Sequence, residues 1–260
     1  MKTNTFSISR DQINFFNDEG YLVIEDIITK DEVEAYKHIY DQFLNGTIDV
    51  GKNRSDLGDG LGNNKTTENI TQIMWPSDFV PDLLDMPYHL RTLLIAQQIY
   101  SNDMKMDFDM LINKAPYSNT PTPWHQDAAY WINLPDKRAL SCWLALDYAT
   151  KENGCMWYVP GSHLQPLRTH TYAGKNGGAL VCKCSEDEGI YIELKPGSCI
   201  LHHGGTLHYS RGNITATSRP ALITNYRSAD MIAFERAQNF DHGRSGNSAD
   251  RTVRNDDFKK

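Results

Sequence analysis

The stretch M-K-M-D-F-D-M-L-I-N-K, residues 104–114, alternates between side chains of two kinds, with Met106, Phe108, Met110 and Ile112 on one side. A period of two marks a strand with one face against a core. R-A-L-S-C-W-L-A-L-D, residues 138–147, repeats the pattern: Leu140, Cys142, Leu144 and Leu146 share a face and Trp143 takes the other. Further strand signals fall at 155–159, 189–194, 198–203 and 220–227, with Pro- and Gly-bearing turns between them. Many short strands with turn punctuation indicate a β-sandwich or jelly roll.

Helices come first. Ser9 is positioned to cap a helix whose apolar face carries Ile13, Phe15 and Phe16 and which Gly20 stops. Residues 21–26 read as a short strand. T-K-D-E-V-E-A-Y, residues 29–36, holds a capping box in Thr29 and Glu32. Val33, Tyr36, Tyr40, Phe43 and Leu44 follow at helical spacing, and that helix ends near Gly46. A third helix is expected over 88–100. The fold class is therefore α+β, mainly β, with N-terminal helices flanking the strand-rich half, in a single domain spanning 1–260. Residues 46–69, rich in Gly, Asn and Asp, read as a long lid-like loop. Residues 228–260 read as a weakly patterned tail.

Composition excludes several classes. The chain has 260 residues and a formal charge of −7, without a basic block, so neither nucleic acid nor an anionic membrane surface is an expected partner. The first ten residues are polar and no apolar run reaches membrane length, so a cytoplasmic protein is expected. Five scattered cysteines fit a reducing compartment, and Cys182 and Cys184 lack a second pair at zinc-site spacing. The Asn-x-Thr triplets at Asn69 and Asn213 are read as chance.

Chemistry concentrates in T-P-T-P-W-H-Q-D-A-A-Y-W, residues 120–131. On extended backbone His125 and Asp127 point the same way and Gln126 points away. One imidazole and one carboxylate make two thirds of a facial triad, which leaves three positions open on Fe(II). L-H-H-G-G-T-L-H, residues 201–208, offers His202, His203 and His208 as a third ligand. A hairpin turning at Asn213 and Ile214 would set His208 opposite Arg219 and Ser210 opposite Thr217, about 5 Å apart. A guanidinium beside a metal suits a cosubstrate that chelates at one end and offers a carboxylate at the other. His163 reads as a turn residue near the site. Trp75, Trp124, Tyr130 and Trp131 read as core or rim, with Tyr130 and Trp131 candidates for the substrate pocket. His38, His89, His170 and His242 carry no pattern.

Taken together, these segments resemble the phytanoyl-CoA dioxygenase family of Fe(II)/2-oxoglutarate oxygenases over roughly residues 11–227. The resemblance rests on M-L-I-N-K-A-P (110–116), W-H-Q-D-A-A-Y-W, S-C-W-L-A-L-D, N-G-C-M-W-Y-V-P-G-S-H (153–163), K-P-G-S-C-I-L-H-H and H-x-S-x-x-N followed by R-P-A-L. It implies a double-stranded β-helix core, with His125, Asp127 and His208 as iron ligands. Arg219 matches the arginine that holds 2-oxoglutarate, Ser210 a hydroxyl that assists it, and Trp143 and Met110 positions packed beside it. Gln72, in I-T-Q-I-M-W, corresponds loosely to a polar contact. The family's Ser-Gly-Pro-Asn is Ser210-Arg211-Gly212-Asn213 here, and its second arginine is Pro220.

The implied cofactors are Fe(II), 2-oxoglutarate and O₂, with ascorbate as a candidate reductant. The implied reaction is hydroxylation of an unactivated C–H bond of a small-molecule metabolite, in specialised biosynthesis, with release of succinate and CO₂. A carboxylate at Asp127 disfavours the related halogenation. Desaturation, cyclisation and stereoinversion use the same ligands and stay open, as do a non-catalytic 2-oxoglutarate sensor and a zinc hydrolase, in which Arg219 has no task. A monomer or homodimer is expected.

Overall fold

The structure, a computed structural model, describes residues 6–59, 61, 68–173 and 179–244. Residues 60 and 62–67 of the expected lid, and the tail beyond 244, lie outside the described residues.

Helix α1 (Arg10–Glu19) starts at Ser9, whose hydroxyl accepts the Gln12 N–H while the Gln12 side chain accepts the Ser9 N–H. Such a cap stabilises a helix by about 1 kcal/mol. Gly20 ends it at φ 76°, a left-handed conformation that costs glycine little. Phe16 is buried, but Phe15 is exposed and meets Tyr21 edge-on. Consecutive helical residues point about 100° apart, so only one of the two reaches the core. β1 (Tyr21–Ile24) stops short of Asp26. α2 (Lys30–Leu44) carries the expected Thr29/Glu32 capping box and buries Val33, Tyr36, Tyr40 and Phe43.

The expected loop 46–69 is partly ordered into the sheet edge: β2 (Arg54–Asp56) pairs with β3 (Ile70–Met74). Arg54 ties it down through Glu68 and the carbonyls of Phe43 and Leu44. α3 (Pro76–Phe79) and α4 (Pro87–Ile99) precede β4 (Met104–Lys114). The remaining strands are β5 (Thr122–His125), β6 (Ala139–Ala145), β7 (Met156–Tyr158), β8 (His170–Tyr172), β9 (Leu180–Cys182), β10 (Ile190–Ile192), β11 (Cys199–His203), β12 (His208–Ser210) and β13 (Arg219–Ser228). The segment read as a weakly patterned tail begins with α5 (Ala229–Ala237).

The major sheet runs β1-β11-β6-β13-β4-β3-β2 and the minor sheet β10-β7-β12-β5, with β8 and β9 paired separately. Every pairing is antiparallel. Leu140, Cys142, Leu144 and Leu146 pack with the helices in one core, whereas Trp143, Ile200, Ile223 and Ile112 face Met156 and Tyr158 of the minor sheet in another. This is the jelly-roll arrangement expected. One detail of the opening stretch differs. Met106 packs in the helix-side core while Met110 and Ile112 face the minor sheet. The register shifts between Asn225 and Tyr226, which pair with Phe108 and Met106, so Asp107 is an extra residue. A bulge puts the alternation out of phase on either side of itself.

The expected 208–219 hairpin is absent from the described strand pairings. β12 belongs to the minor sheet and β13 to the major. The connection arches between the sheets and is held by 117–119: the Asn119 N–H donates to Asn213 O and the Tyr117 N–H to Thr215 O. Gly212 lies so close to Asn119 that a Cβ would sit 2.1 Å from its carbonyl carbon, so the arch packs this tightly because residue 212 is a glycine. Thr217 is exposed rather than on the site face.

Candidate active site

The register of the major sheet decides which side chains enter the space between the sheets. Along β13 the alternating residues Arg219, Ala221, Ile223 and Asn225 face inward. Each heads a row across neighbouring strands. Asn225 stands beside Ser141, then His202; Ile223 beside Trp143 and Met110; Ala221 beside Ile112, then Gln72 and Ser55. The minor sheet supplies the opposite wall, where His208 pairs directly with His125 and Ser210 with Thr122. The residue across from His208 is thus His125, not Arg219.

A cavity of about 360 Å³ lies between these walls. It is lined by all ten residues singled out from the sequence: His125, Asp127, His208, Arg219, Ser210, Trp143, Met110, Gln72, Tyr130 and Trp131. His125 ends β5, Gln126 is extended (φ −124°, ψ 128°), and Asp127 opens a 3₁₀ turn. The pair therefore shares a side, as i and i+2 residues do. Gln126 points away and is fully buried, bonding Gly205 O, the Arg168 N–H and, through its own N–H, His170.

His125, Asp127 and His208 bring one ligand atom each to within 4.8 Å of one another. Asp127 Oδ1 is 3.7 Å from His125 Nε2 and 3.5 Å from His208 Nε2. His125 Nδ1 donates to Pro123 O at 2.7 Å, and His208 Nδ1 to Thr206 O at 2.9 Å. Those bonds fix the tautomer and leave both Nε2 lone pairs aimed at the shared point, the usual preparation of a metal-binding imidazole. Burial, then the charge of His208, pushes His125 down to about 3, so it is neutral at physiological pH. Burial alone would lower His208 too, but the Asp127 charge and hydrogen bond outweigh it and raise its pKa. Burial opposes ionisation of Asp127, yet His208 and His202 hold its carboxyl well below the usual range.

Arg219 is 2% exposed, and its Nε and Nη1 have no hydrogen-bond partner. Its guanidinium lies 4.9 Å over the Trp143 ring. Burial pulls its pKa down to about 10, which still leaves it charged. An unpaired buried guanidinium is costly. Buried guanidinium N–H donors without partners match a carboxylate, which only accepts. Ser210 and Gln72 line the same cavity, and the Gln72 amide also donates to Met110 Sδ.

The sequence reading offered His202 as a ligand rather than as a partner of Asp127, and it missed several other residues. Ser141 donates to Asp127 Oδ2 at 2.7 Å and His202 Nε2 sits 3.1 Å from the same oxygen. Ser141 is two residues before Trp143 on one strand, so its face was legible. Asn53, Ser55 and Leu57 line the cavity from the supposed loop, and Phe240, His242 and Gly243 from the supposed tail. His163 bonds Asn17 O instead and does not line the cavity. Trp75 and Trp124 are buried elsewhere. Asn69 and Asn213 are buried, consistent with chance triplets. All five cysteines are free.

Residues 16–221 match the sequence profile described as phytanoyl-CoA dioxygenase (PhyH). A phytanoyl-CoA dioxygenase of Arabidopsis thaliana is 28% identical over 259 residues, covering 87% of this chain and 91% of that one. Among solved structures, EvdO2 from Micromonospora carbonacea var. aurantiaca, crystallised with 2-oxoglutarate, superposes with a TM-score of 0.70 at 26% identity, covering 86% of this chain and 92% of its own. The non-heme alpha ketoglutarate dependent carbocyclase SnoK, from nogalamycin biosynthesis, shares the fold with a TM-score of 0.66 at 21% identity over 86% of this chain and 85% of its own.

Proposed function

The chain belongs to the phytanoyl-CoA dioxygenase family, and from that premise we propose that it is an Fe(II)- and 2-oxoglutarate-dependent dioxygenase hydroxylating an unactivated C–H bond of a small free metabolite. The single observation that carries the reading is the donor set. Two imidazoles with freed Nε2 lone pairs and one carboxylate converge on a point inside a cavity that also holds an arginine with orphaned donors. That set fits a facial triad and the far carboxylate of a keto acid.

In this reading His125, Asp127 and His208 hold the metal, and Arg219 with Ser210 receives the cosubstrate carboxylate. When bound, the group supplies oxidative chemistry: 2-oxoglutarate and O₂ go to succinate and CO₂ while one oxygen atom reaches the substrate. The chain's part is to orient and to exclude water. Trp143, Met110 and Gln72 wall the cosubstrate end. Tyr130 is fixed by accepting the Leu180 N–H, and Trp131 by Arg227 stacked 3.7 Å over its ring. These two rings, with Phe108 and Phe240, favour an apolar or aromatic substrate.

A free metabolite of specialised biosynthesis suits this wall better than a coenzyme A ester. Among the described lining residues Lys52 and Arg219 are the lysines and arginines, and Arg219 is already assigned, which leaves little for a polyphosphate tail. Cytoplasmic location, action as a monomer or homodimer, and a single domain over 1–260 belong to the same proposal. Five free thiols support a reducing compartment, and among the described residues no helix is long and apolar enough to cross a membrane.

The test is the visible spectrum of metal-free protein given Fe(II) and 2-oxoglutarate without oxygen. A weak charge-transfer band is expected in wild type and none in His208→Ala. Arg219→Ala should need at least about 30-fold more cosubstrate, as losing one partner of a buried charge pair costs 2–5 kcal/mol. No band in metal-loaded wild type sinks the reading. Substrate-dependent succinate release with an acyl-CoA ester but not free compounds would overturn the substrate class.

A further inference from the structure

A third imidazole stands against the same carboxylate and is prepared in the opposite way. His202 Nδ1 lies 3.3 Å from the Tyr158 hydroxyl, and its Nε2 lies 3.1 Å from Asp127 Oδ2. A carboxylate only accepts, so Nε2 carries the proton and Nδ1 accepts from Tyr158. His125 and His208 carry theirs on Nδ1 and keep Nε2 bare. His202 is thus close to the site yet turned into a donor.

It does not act alone. Ser141 donates to the same Oδ2 at 2.7 Å and accepts from Asn225 Nδ2 at 2.8 Å. His202, Ser141 and Asn225 are side by side on β11, β6 and β13, in one row of the sheet. All three, and Tyr158 across the sandwich, are 3% exposed or less. Oδ2 therefore has two buried donors, while Oδ1 faces the Nε2 atoms of His125 and His208.

We propose that His202 is a positioning residue which, with Ser141, reserves Asp127 Oδ2 so that the carboxylate meets the metal through Oδ1 alone. A carboxylate free to turn would bind through both oxygens and take a coordination position that the facial triad must keep open. The proposal rests on reading His125, Asp127 and His208 as metal ligands. Partners of this kind typically change metal affinity 10–100-fold.

The test uses the full chain, metal-free and anaerobic, titrated with Co(II) alone and then with 2-oxoglutarate, following the visible absorption of the bound ion. The variants are His202→Phe, His202→Gln, Ser141→Ala and His208→Ala. His202→Phe should weaken Co(II) binding by about tenfold or more, shift the Co(II) spectrum and weaken 2-oxoglutarate more than Co(II). His202→Gln, whose amide N–H reaches the same oxygen, should restore most of both. Ser141→Ala should fall between.

Unchanged Co(II) and 2-oxoglutarate binding in His202→Phe overturns the proposal. So does a loss as complete as in His208→Ala that glutamine does not repair, because His202 would then be a ligand. If His202→Phe does not fold, an unaltered 2-oxoglutarate affinity in Ser141→Ala overturns it. Wild type that binds no Co(II) overturns the ligand reading and this proposal together. Wild type that binds Co(II) but ignores 2-oxoglutarate overturns the cosubstrate alone, and the Co(II) titrations still decide the role of His202.

Discussion

Among the described residues two clusters have the composition of a metal site, and the difference between them teaches what such a site needs. One is His125, Asp127 and His208; the other is Asp107, Glu235 and His242. In the first, each histidine spends Nδ1 on a backbone carbonyl and keeps Nε2 free. In the second, His242 Nε2 is 3.1 Å from Asp107 and 3.7 Å from Glu235, so it is spent as a donor. Both carboxylates are also held by guanidiniums. Arg227 reaches Asp107 at 3.0 Å and Glu235 at 3.1 Å, and Arg236 bonds Asp107 as well. The same residue types make a donor set with free lone pairs in one place and a neutralised ion cluster in the other. Free lone pairs, not residue identity, separate them.

The second cluster has structural work next to the first. Asp107 sits at the β4 bulge and ties β13, α5 and the segment carrying Phe240 and His242 to one point. The His242 ring packs 4.2 Å from Phe108, and both face the cavity. This cluster shapes the outer wall while the other holds the chemistry.

Paired substitutions break or sharpen that contrast. The largest effect is expected from Asp107→Ala, which strands buried guanidiniums and should cost about 3–5 kcal/mol of stability, read by urea denaturation of the metal-free protein. Its Co(II) affinity should be unchanged. Asp127→Ala should do the reverse and weaken Co(II) binding by more than about 100-fold, beyond the range of an outer partner. Should Asp107→Ala lose the metal instead, the two clusters are not distinct in kind.

The smallest effect concerns pH. His208 has a raised pKa and must be neutral to bind metal, so affinity should fall as pH drops through that raised value, by about tenfold per unit. Asp107 behaves oppositely. Burial opposes its ionisation, but His242, Arg227 and Arg236 hold its pKa far below the usual value. Its contribution to stability is complete above the unfolded carboxylate value of about 3.9 and is lost as pH falls through the lower folded value. As pH falls from neutrality to about 4, Co(II) affinity should fall while the stability lost in Asp107→Ala relative to wild type stays constant, since wild type and variant share the destabilisation that follows from the depressed pKa of buried His125. A difference between wild type and Asp107→Ala that shrinks in step with the metal affinity, read by urea denaturation of metal-free protein, would contradict this.

Much of this was legible in residue order because it is local. The capping boxes at Ser9 and Thr29 need only three residues' spacing, and the inward faces of β4 and β6 need only a period of two. His125 and Asp127 converge because an extended chain makes i and i+2 neighbours. Errors arose where one residue's displacement matters. The bulge at Asp107 reversed the face of Met106. β12 joined the other sheet, and an arch that packs Gly212 against Asn119 stands in place of the expected hairpin. Arg219 and Ser210 still reached the cavity, from opposite walls rather than from one hairpin.

The sequence by itself determined the N-terminal helices, the long strands, the jelly-roll class and which side chains carry the chemistry, since these follow from short-range periodicity and motif spacing. Tertiary structure alone decided how those side chains are used. The carbonyls that set the His125 and His208 tautomers lie just two residues before each, but the pairing of His208 with His125, the Tyr158 hydroxyl that makes His202 a donor, and the Arg227 and Arg236 guanidiniums on Asp107 join residues far apart in the chain. Where the free lone pairs meet, and which nitrogen His202 keeps bare, depends on contacts between strands far apart in sequence, and no local pattern of residues encodes that.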